Sequence, residues 1–172
     1  MKSKWMWVLL LVLIGAAVYV GNVLATSSQG YTSTTLAKAT FGEIDSHVHS
    51  LPADWQEMIK TKGLSDLYVQ QNTWDPVACG CTPTTGWHTH PGPSLVIVTQ
   101  GTVTAYEGDD PNCTPHVYSA NGTNAFVDVG SGDVHMIRDE SGAVAKTVVV
   151  QFIPKGATRR IDVSPAPGNC PF

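Results

Sequence analysis

WHTHPGPSLVIVTQG, Trp87 to Gly101, is the stretch on which the reading of this chain turns. Two histidines, His88 and His90, sit one residue apart, a Pro-Gly-Pro corner follows, and a run of β-forming residues ends at Gly101. On a strand, residues i and i+2 project from the same face, so the two imidazoles aim together. They stand roughly 7 Å apart along the backbone by the strand rise, and both can turn towards one metal ion. A third ligand must come from elsewhere in the chain. His135, in DVGSGDVHMIRD, follows a Gly-Ser-Gly turn at the head of an apolar strand and supplies the candidate. Three neutral imidazoles around an open coordination position form a catalytic type of metal site.

These two segments resemble the motifs of the cupin superfamily, small jelly-roll barrels that carry a metal inside. The first cupin motif runs Gly, five residues, His-x-His, three or four residues, Glu, six residues, Gly. Here His88-Thr89-His90 is followed by three residues, Ser94, six residues and Gly101, with Ser94 standing where the family has glutamate. Thr82 holds the place of the leading glycine, with Gly80 and Gly86 nearby. The second motif, Pro-x-Gly-x-x-His, three residues, Asn, is matched by Gly130 to His135, with Gly130 in place of proline and Asp139 in place of asparagine. The resemblance spans roughly Lys38 to Pro165, and its specific content lies in these two segments. It implies a jelly-roll barrel, dimers formed by strand exchange or sheet-edge contact, and membership that includes both three-histidine dioxygenases and proteins without known catalysis. Ser94 and Asp139 are expected near the metal, in the pocket or behind the ligands. A serine hydroxyl does not cancel metal charge as a glutamate does, so a three-imidazole site favours anionic or chelating oxygen ligands and Lewis-acid polarisation.

The remaining histidines read differently. His47-Val48-His49 repeats the HxH spacing but is expected on an edge strand, and His116 is an ordinary strand residue. Trp87 and Met136 are expected to pack in the barrel. Arg159-Arg160 reads as a solvated strand end from which either side chain can meet an anion at the barrel mouth. Asp133 and Asp139 are candidates for a general base only by nearness in sequence.

Bulk composition agrees with an all-β fold. The 172 residues are 42% hydrophobic and only 14% charged, with 16 Gly and 11 Pro, a turn-rich balance that favours many short strands over a helical bundle. A net charge of −4 gives no electrostatic reason to expect a nucleic-acid partner. No phosphate-binding glycine loop of the Walker type and no G-x-S-x-G elbow is present. Residues 1–25 open with Lys2 and Lys4 before a long apolar run, which suits both an export signal cleaved after Ala25 and an uncleaved membrane anchor. Residues 26–37 read as a flexible Ser/Thr-rich spacer and 38–172 as the barrel with a C-terminal tail.

Between turns, a short helix is expected over Ala53 to Lys62, and strands over 65–73, 95–99, 102–106, 116–118, 124–129, 134–138, 144–153 and 159–163. Gln100-Gly101 is expected to join two of these as a hairpin-like corner. Cys79, Cys81, Cys113 and Cys170 form an even set suited to disulfides in an oxidising compartment. Because Cys79-Gly80-Cys81 closes so tight a ring, each of the pair is expected to reach Cys113 or Cys170 instead.

The sequence therefore predicts an extracytoplasmic, metal-binding cupin, secreted or anchored by its N-terminal helix, that acts on or binds a small oxygenated organic molecule, with a dioxygenase-type reaction as the enzymatic form. The alternative is a non-catalytic ligand-binding or structural module of the cell envelope. One divalent ion is expected, and imidazole ligands suit Fe, Mn, Ni, Cu and Zn alike. The sequence leaves the oligomeric state open, a homodimer being one assembly the resemblance implies.

Overall fold

The computed structural model describes residues 27–50 and 54–172. In chain order its strands are Tyr31–Phe41 (β1), Asp45–Ser50 (β2), Trp55–Lys60 (β3), Ser65–Trp74 (β4), His88–Thr89 (β5) and Ser94–Gln100 (β6). Thr102–Glu107 (β7), His116–Ser119 (β8), Ala125–Asp128 (β9), His135–Arg138 (β10), Ala145–Pro154 (β11) and Ile161–Asp162 (β12) follow. One helical turn, Pro76–Cys79 (α1), is capped by the Asp75 side chain, which accepts from Ala78 N.

Period-2 patterning sets the layers. In β11, Ala145, Thr147, Val149, Gln151 and Ile153 are buried while the intervening residues are partly exposed. In β6, Ser94, Val96 and Val98 turn inwards and Leu95 and Ile97 outwards. Two five-stranded sheets result, ordered β1-β4-β11-β6-β9 and β12-β5-β10-β7-β8, with β2 and β3 forming a separate hairpin. Every strand pair is antiparallel. From β4 onwards the chain changes sheet at every connection except β7 to β8. Apolar side chains of both sheets meet in one core of Trp74, Val98, Val103, Ala105, Ile137 and Ala145.

A second cluster covers the other face of β5 and β10. Trp87 and Met136 adjoin His88 and His135 in the chain, so strand alternation sends them to the opposite side. There they are buried with Tyr106 and packed against Val163, Ala166, Cys113 and Cys170 of the loop and C-terminal tail. Full burial of such side chains is worth about 1.5–3 kcal/mol each. Trp87 and Met136 thus serve packing, as expected.

The structure corrects several expectations. The supposed spacer is ordered from Tyr31 onwards as β1, an edge strand that pairs along its length with β4; its Thr and Ser residues suit a strand with a solvent-facing side. The helix expected over 53–62 is instead β3, paired residue for residue with β2 from Asp45↔Lys60 to Ser50↔Trp55. Cross-strand pairing there overrides a weak helical pattern. His47 and His49 lie on that hairpin, as expected of an edge pair. Gln100-Gly101 joins no hairpin: β6 and β7 belong to different sheets. Gly101 has φ of +69°, and a Cβ there would lie 2.8 Å from Val144 O, so the corner needs glycine to pass beside β11. The cysteines pair as Cys79–Cys81 and Cys113–Cys170, not across to each other. The first bridge is feasible because Gly80, in the left-handed region, ends α1 and folds the chain back, leaving the two Cα atoms 5.2 Å apart. The N-terminal segment expected as signal or anchor lies outside the described residues. Among the described residues no helix is long and apolar enough to cross a membrane.

Candidate metal centre

β5 and β10 are neighbours, and their register places His88 directly opposite His135. Cross-strand partners share a face, so both rings point between the sheets. His90 follows β5 at the Pro91-Gly92-Pro93 corner, where the chain leaves one sheet for the other. That corner is held by a close backbone approach: a Cβ on Gly130 would collide with Gly92, and Gly130 has φ of +68°. Ser131 N donates to His90 O at 2.7 Å across the same junction. The Pro-Gly-Pro corner and the Gly-Ser-Gly turn thus pack on each other and bring the two histidine segments together.

The three rings meet. Ring centroids are 4.9 Å apart for His88 and His90, 4.4 Å for His88 and His135, and 5.3 Å for His90 and His135. One nitrogen from each lies within 4.8 Å of the others, an arrangement able to hold a metal ion. Nδ1 of His88 donates to Gly86 O at 2.8 Å, and Nδ1 of His90 donates to Arg159 O at 2.5 Å. A carbonyl oxygen only accepts, so these bonds place the ring protons on Nδ1 and leave both Nε2 lone pairs free for an ion, with the Gln151 amide nitrogen also 2.9 Å from His90 Nδ1. Burial pushes the His88 imidazole well below its ordinary range, with the charges of His135, Arg160 and His90 adding to the effect. Burial likewise lowers His90, and it lowers His135 to about 4. All three are therefore neutral at physiological pH, the form in which histidine binds metal.

The trio lines a cavity of about 100 Å³ between the sheets. Ser94 is on its wall. Asp139, one residue past the end of β10, is buried but not on that wall, and its Oδ1 accepts from Ser141 N and Oγ at 2.9 and 2.7 Å. Asp133 is absent from the wall too. His116 is exposed on β8. Arg159 and Arg160, expected at a strand end able to meet an anion at the barrel mouth, both line the cavity, and Arg160 donates to Thr85 O and pairs with Asp162.

Several wall residues escape a motif-based reading. Asp128, at the end of β9, is buried beside the histidines; Gln151 on β11 donates to Ser94 Oγ at 3.4 Å and Arg159 O at 3.2 Å. Gln70, Asn72 and Thr147 add further polar groups to the lining. Their signal in the sequence is only polarity on the inward phase of otherwise apolar strands. Gln70 Nε2, Trp74 Nε1, Asn72 Oδ1, Thr147 Oγ1, Gln151 Oε1 and Arg160 Nη1 are buried without a hydrogen-bond partner in the protein. A wall so furnished suits a polar guest or ordered water rather than a hydrocarbon.

No protein-family model matches the chain, and no curated protein matches it. Solved structures do. Its structural neighbours include cupin superfamily proteins. One, from Desulfitobacterium hafniense, is 8% identical with a TM-score of 0.40, covering 70% of this chain and 81% of that one. The polyketide cyclase RemF from Streptomyces resistomycificus is similar over 86% of this chain and 85% of its own, with 13% identity and a TM-score of 0.50. An oxalate oxidase in complex with the substrate analogue glycolate has 18% identity and a TM-score of 0.43, over 72% of this chain and 51% of the enzyme. At these identities the likeness concerns the fold.

Proposed function

We propose that this chain is a metal-binding cupin that works outside the cytoplasm and binds, or acts on, a small oxygenated organic molecule at the ion's open positions. The observation that carries this reading is the convergence of three imidazoles, His88 and His135 buried and His90 partly buried, from two separate segments on one cavity. The donor set fits a divalent transition ion such as Fe, Mn, Ni, Cu or Zn. When bound, such an ion supplies Lewis-acid polarisation of an oxygen ligand.

The protein's own groups define the guest. A cavity of about 100 Å³ holds less than benzene, which fills engineered cavities of about 150 Å³. Arg160 Nη1, buried and unpartnered on the wall, supports an anionic group on that guest, so a short carboxylic acid fits best. His88, His90 and His135 act as ligands rather than bases. Two disulfides, with no free cysteine among the described residues, support an oxidising destination.

Metal analysis of untagged protein beside a His88→Ala/His135→Ala double variant tests the centre. The wild type is expected to hold one ion and to lose thermal stability on chelation, since an ion that binds only the folded state raises its stability. Equal metal content in both proteins refutes the assignment. Metal-dependent oxygen uptake with short carboxylates or small diketones separates an enzyme from the competing reading, a non-catalytic binding module; reproducible turnover eliminates the latter.

A further inference from the structure

We infer that Asp128 is a fourth, anionic protein ligand of the ion held by His88, His90 and His135, delivered from the strand beside the uncharged Ser94. The inference rests on the metal-centre reading and adds to it a residue, a charge and a geometry.

The register makes the delivery possible. β6 and β9 pair with Ser94 directly opposite Asp128, so both side chains leave the sheet on the same face. Both are buried and both line the histidine cavity. Asp128 Oδ2 lies 3.5 Å from His90 Nε2, and Oδ1 lies 3.7 Å from His135 Nδ1. Two ligand atoms sharing a tetrahedral ion at bond lengths of about 2.1 Å are themselves about 3.4 Å apart. Oδ2 therefore already stands at that separation from His90 Nε2, while the ligand atoms that lie mutually within 4.8 Å are those of the three histidines.

Hydrogen bonding does not account for Oδ2. Oδ1 accepts from Gly130 N at 2.8 Å, which fixes the carboxylate plane. Oδ2 has no partner in the protein although it is buried. At 3.5 Å it lies beyond hydrogen-bond reach of His90 Nε2, and that nitrogen has no proton to give while Nδ1 donates to Arg159 O. A buried carboxylate oxygen left without a donor is costly, and a cation between it and the facing lone pair satisfies both. Ligation through Oδ2 leaves the Oδ1 bond to Gly130 intact as the support that orients the ligand.

The consequence is electrostatic. With Asp128 bound, a divalent ion and its protein ligands carry one net positive charge instead of two, so exogenous anions are held less tightly and hard ions are favoured over soft ones.

Zinc(II) alone is the probe, titrated against a chromophoric chelator at pH 7.5 with wild type, Asp128→Asn, His88→Ala/His135→Ala and the swap Ser94→Glu/Asp128→Asn. Asp128→Asn keeps an oxygen for Gly130 N but loses the charge. It is expected to weaken zinc binding about tenfold or more, with the swap recovering most of the loss and the visible spectrum of bound cobalt(II) changing between wild type and Asp128→Asn. Wild-type affinity in Asp128→Asn, with binding abolished in the double-histidine variant, overturns the role of Asp128 and spares the metal centre. No zinc binding by the wild type overturns both. Should Asp128→Asn fail to fold, the wild-type zinc complex decides: an ion at about 2.0–2.2 Å from Oδ2 supports ligation, and one outside bonding distance refutes it.

Discussion

The two disulfides make a quantitative prediction because the loops they close differ so much. Cys113–Cys170 spans a sequence separation of 57, whereas Cys79–Cys81 spans 2. In the loop-entropy model, constraining the unfolded chain over the longer loop is worth about 4 kcal/mol at 25 °C, and over the shorter one about 1 kcal/mol. The long bridge also ties the tail onto the Trp87–Tyr106–Met136 cluster behind the strands that carry His88 and His135. Cys113→Ala/Cys170→Ala is therefore expected to lower the unfolding free energy by about 4 kcal/mol and Tm by on the order of 10 °C. Cys79→Ala/Cys81→Ala is expected to cost about a quarter of that free energy. Urea titration at fixed pH measures both, and the long-loop variant should also show a larger m-value, because its unfolded chain exposes more surface. Crossed bridges, with each of Cys79 and Cys81 joined to a distant partner, would make either double variant break long loops. Equal losses in the two variants, or a larger one in Cys79→Ala/Cys81→Ala, would refute the pairing and the argument built on it.

Two further outcomes follow from the structure. Burial, with Asp133, Asp109 and Asp128 nearby, raises the Glu107 carboxyl to about 7. The folded protein then binds this proton more tightly than the unfolded chain, so the group's contribution is most favourable at low pH and declines as pH rises from about 4.3 through about 7. Glu107→Gln should raise Tm at pH 8 and leave it nearly unchanged at pH 4; a drop at pH 8 would contradict the sign. Gly130→Ala forces a Cβ into the Gly92 backbone at a left-handed φ, and should destabilise the fold by about 2 kcal/mol or more while weakening zinc binding. A denaturation curve within about 0.5 kcal/mol of wild type would show that the junction yields easily.

Much of the fold was legible because its signals are local. The strands from Ser65 to Ile153 follow from period-2 apolar patterns broken by Gly and Pro, and each appears within a residue or two of its expected place. The errors have a common cause. Tyr31–Phe41 is polar on its open side and reads as linker until β4 is seen to pair with it; Trp55–Lys60 reads as helix until β2 does. Gln100-Gly101 looks like a hairpin because a turn signal does not say whether the strands on either side stay in one sheet. Distance along the chain puts Asp139 near His135, but β10 stops one residue earlier and only the tertiary structure shows its Oδ1 bound to Ser141.

The candidate site divides the same way. His88, His90 and His135 could be singled out from the one-dimensional pattern, because two spacings and a strand period place imidazoles on a common face. Asp128 and Gln151 could not, since nothing in the sequence says that β9 and β11 bring them beside β5, and Arg159 and Arg160 stood out only as a strand end able to meet an anion. Sequence by itself determined the β-rich class, the inward phase of the central strands and the histidine trio, all of which depend on spacings of a few residues. Only the tertiary structure decided the cysteine pairing, the sheet to which each strand belongs and the company the histidines keep. Those depend on contacts between residues tens of positions apart, which arise only when the two sheets close over a shared interior.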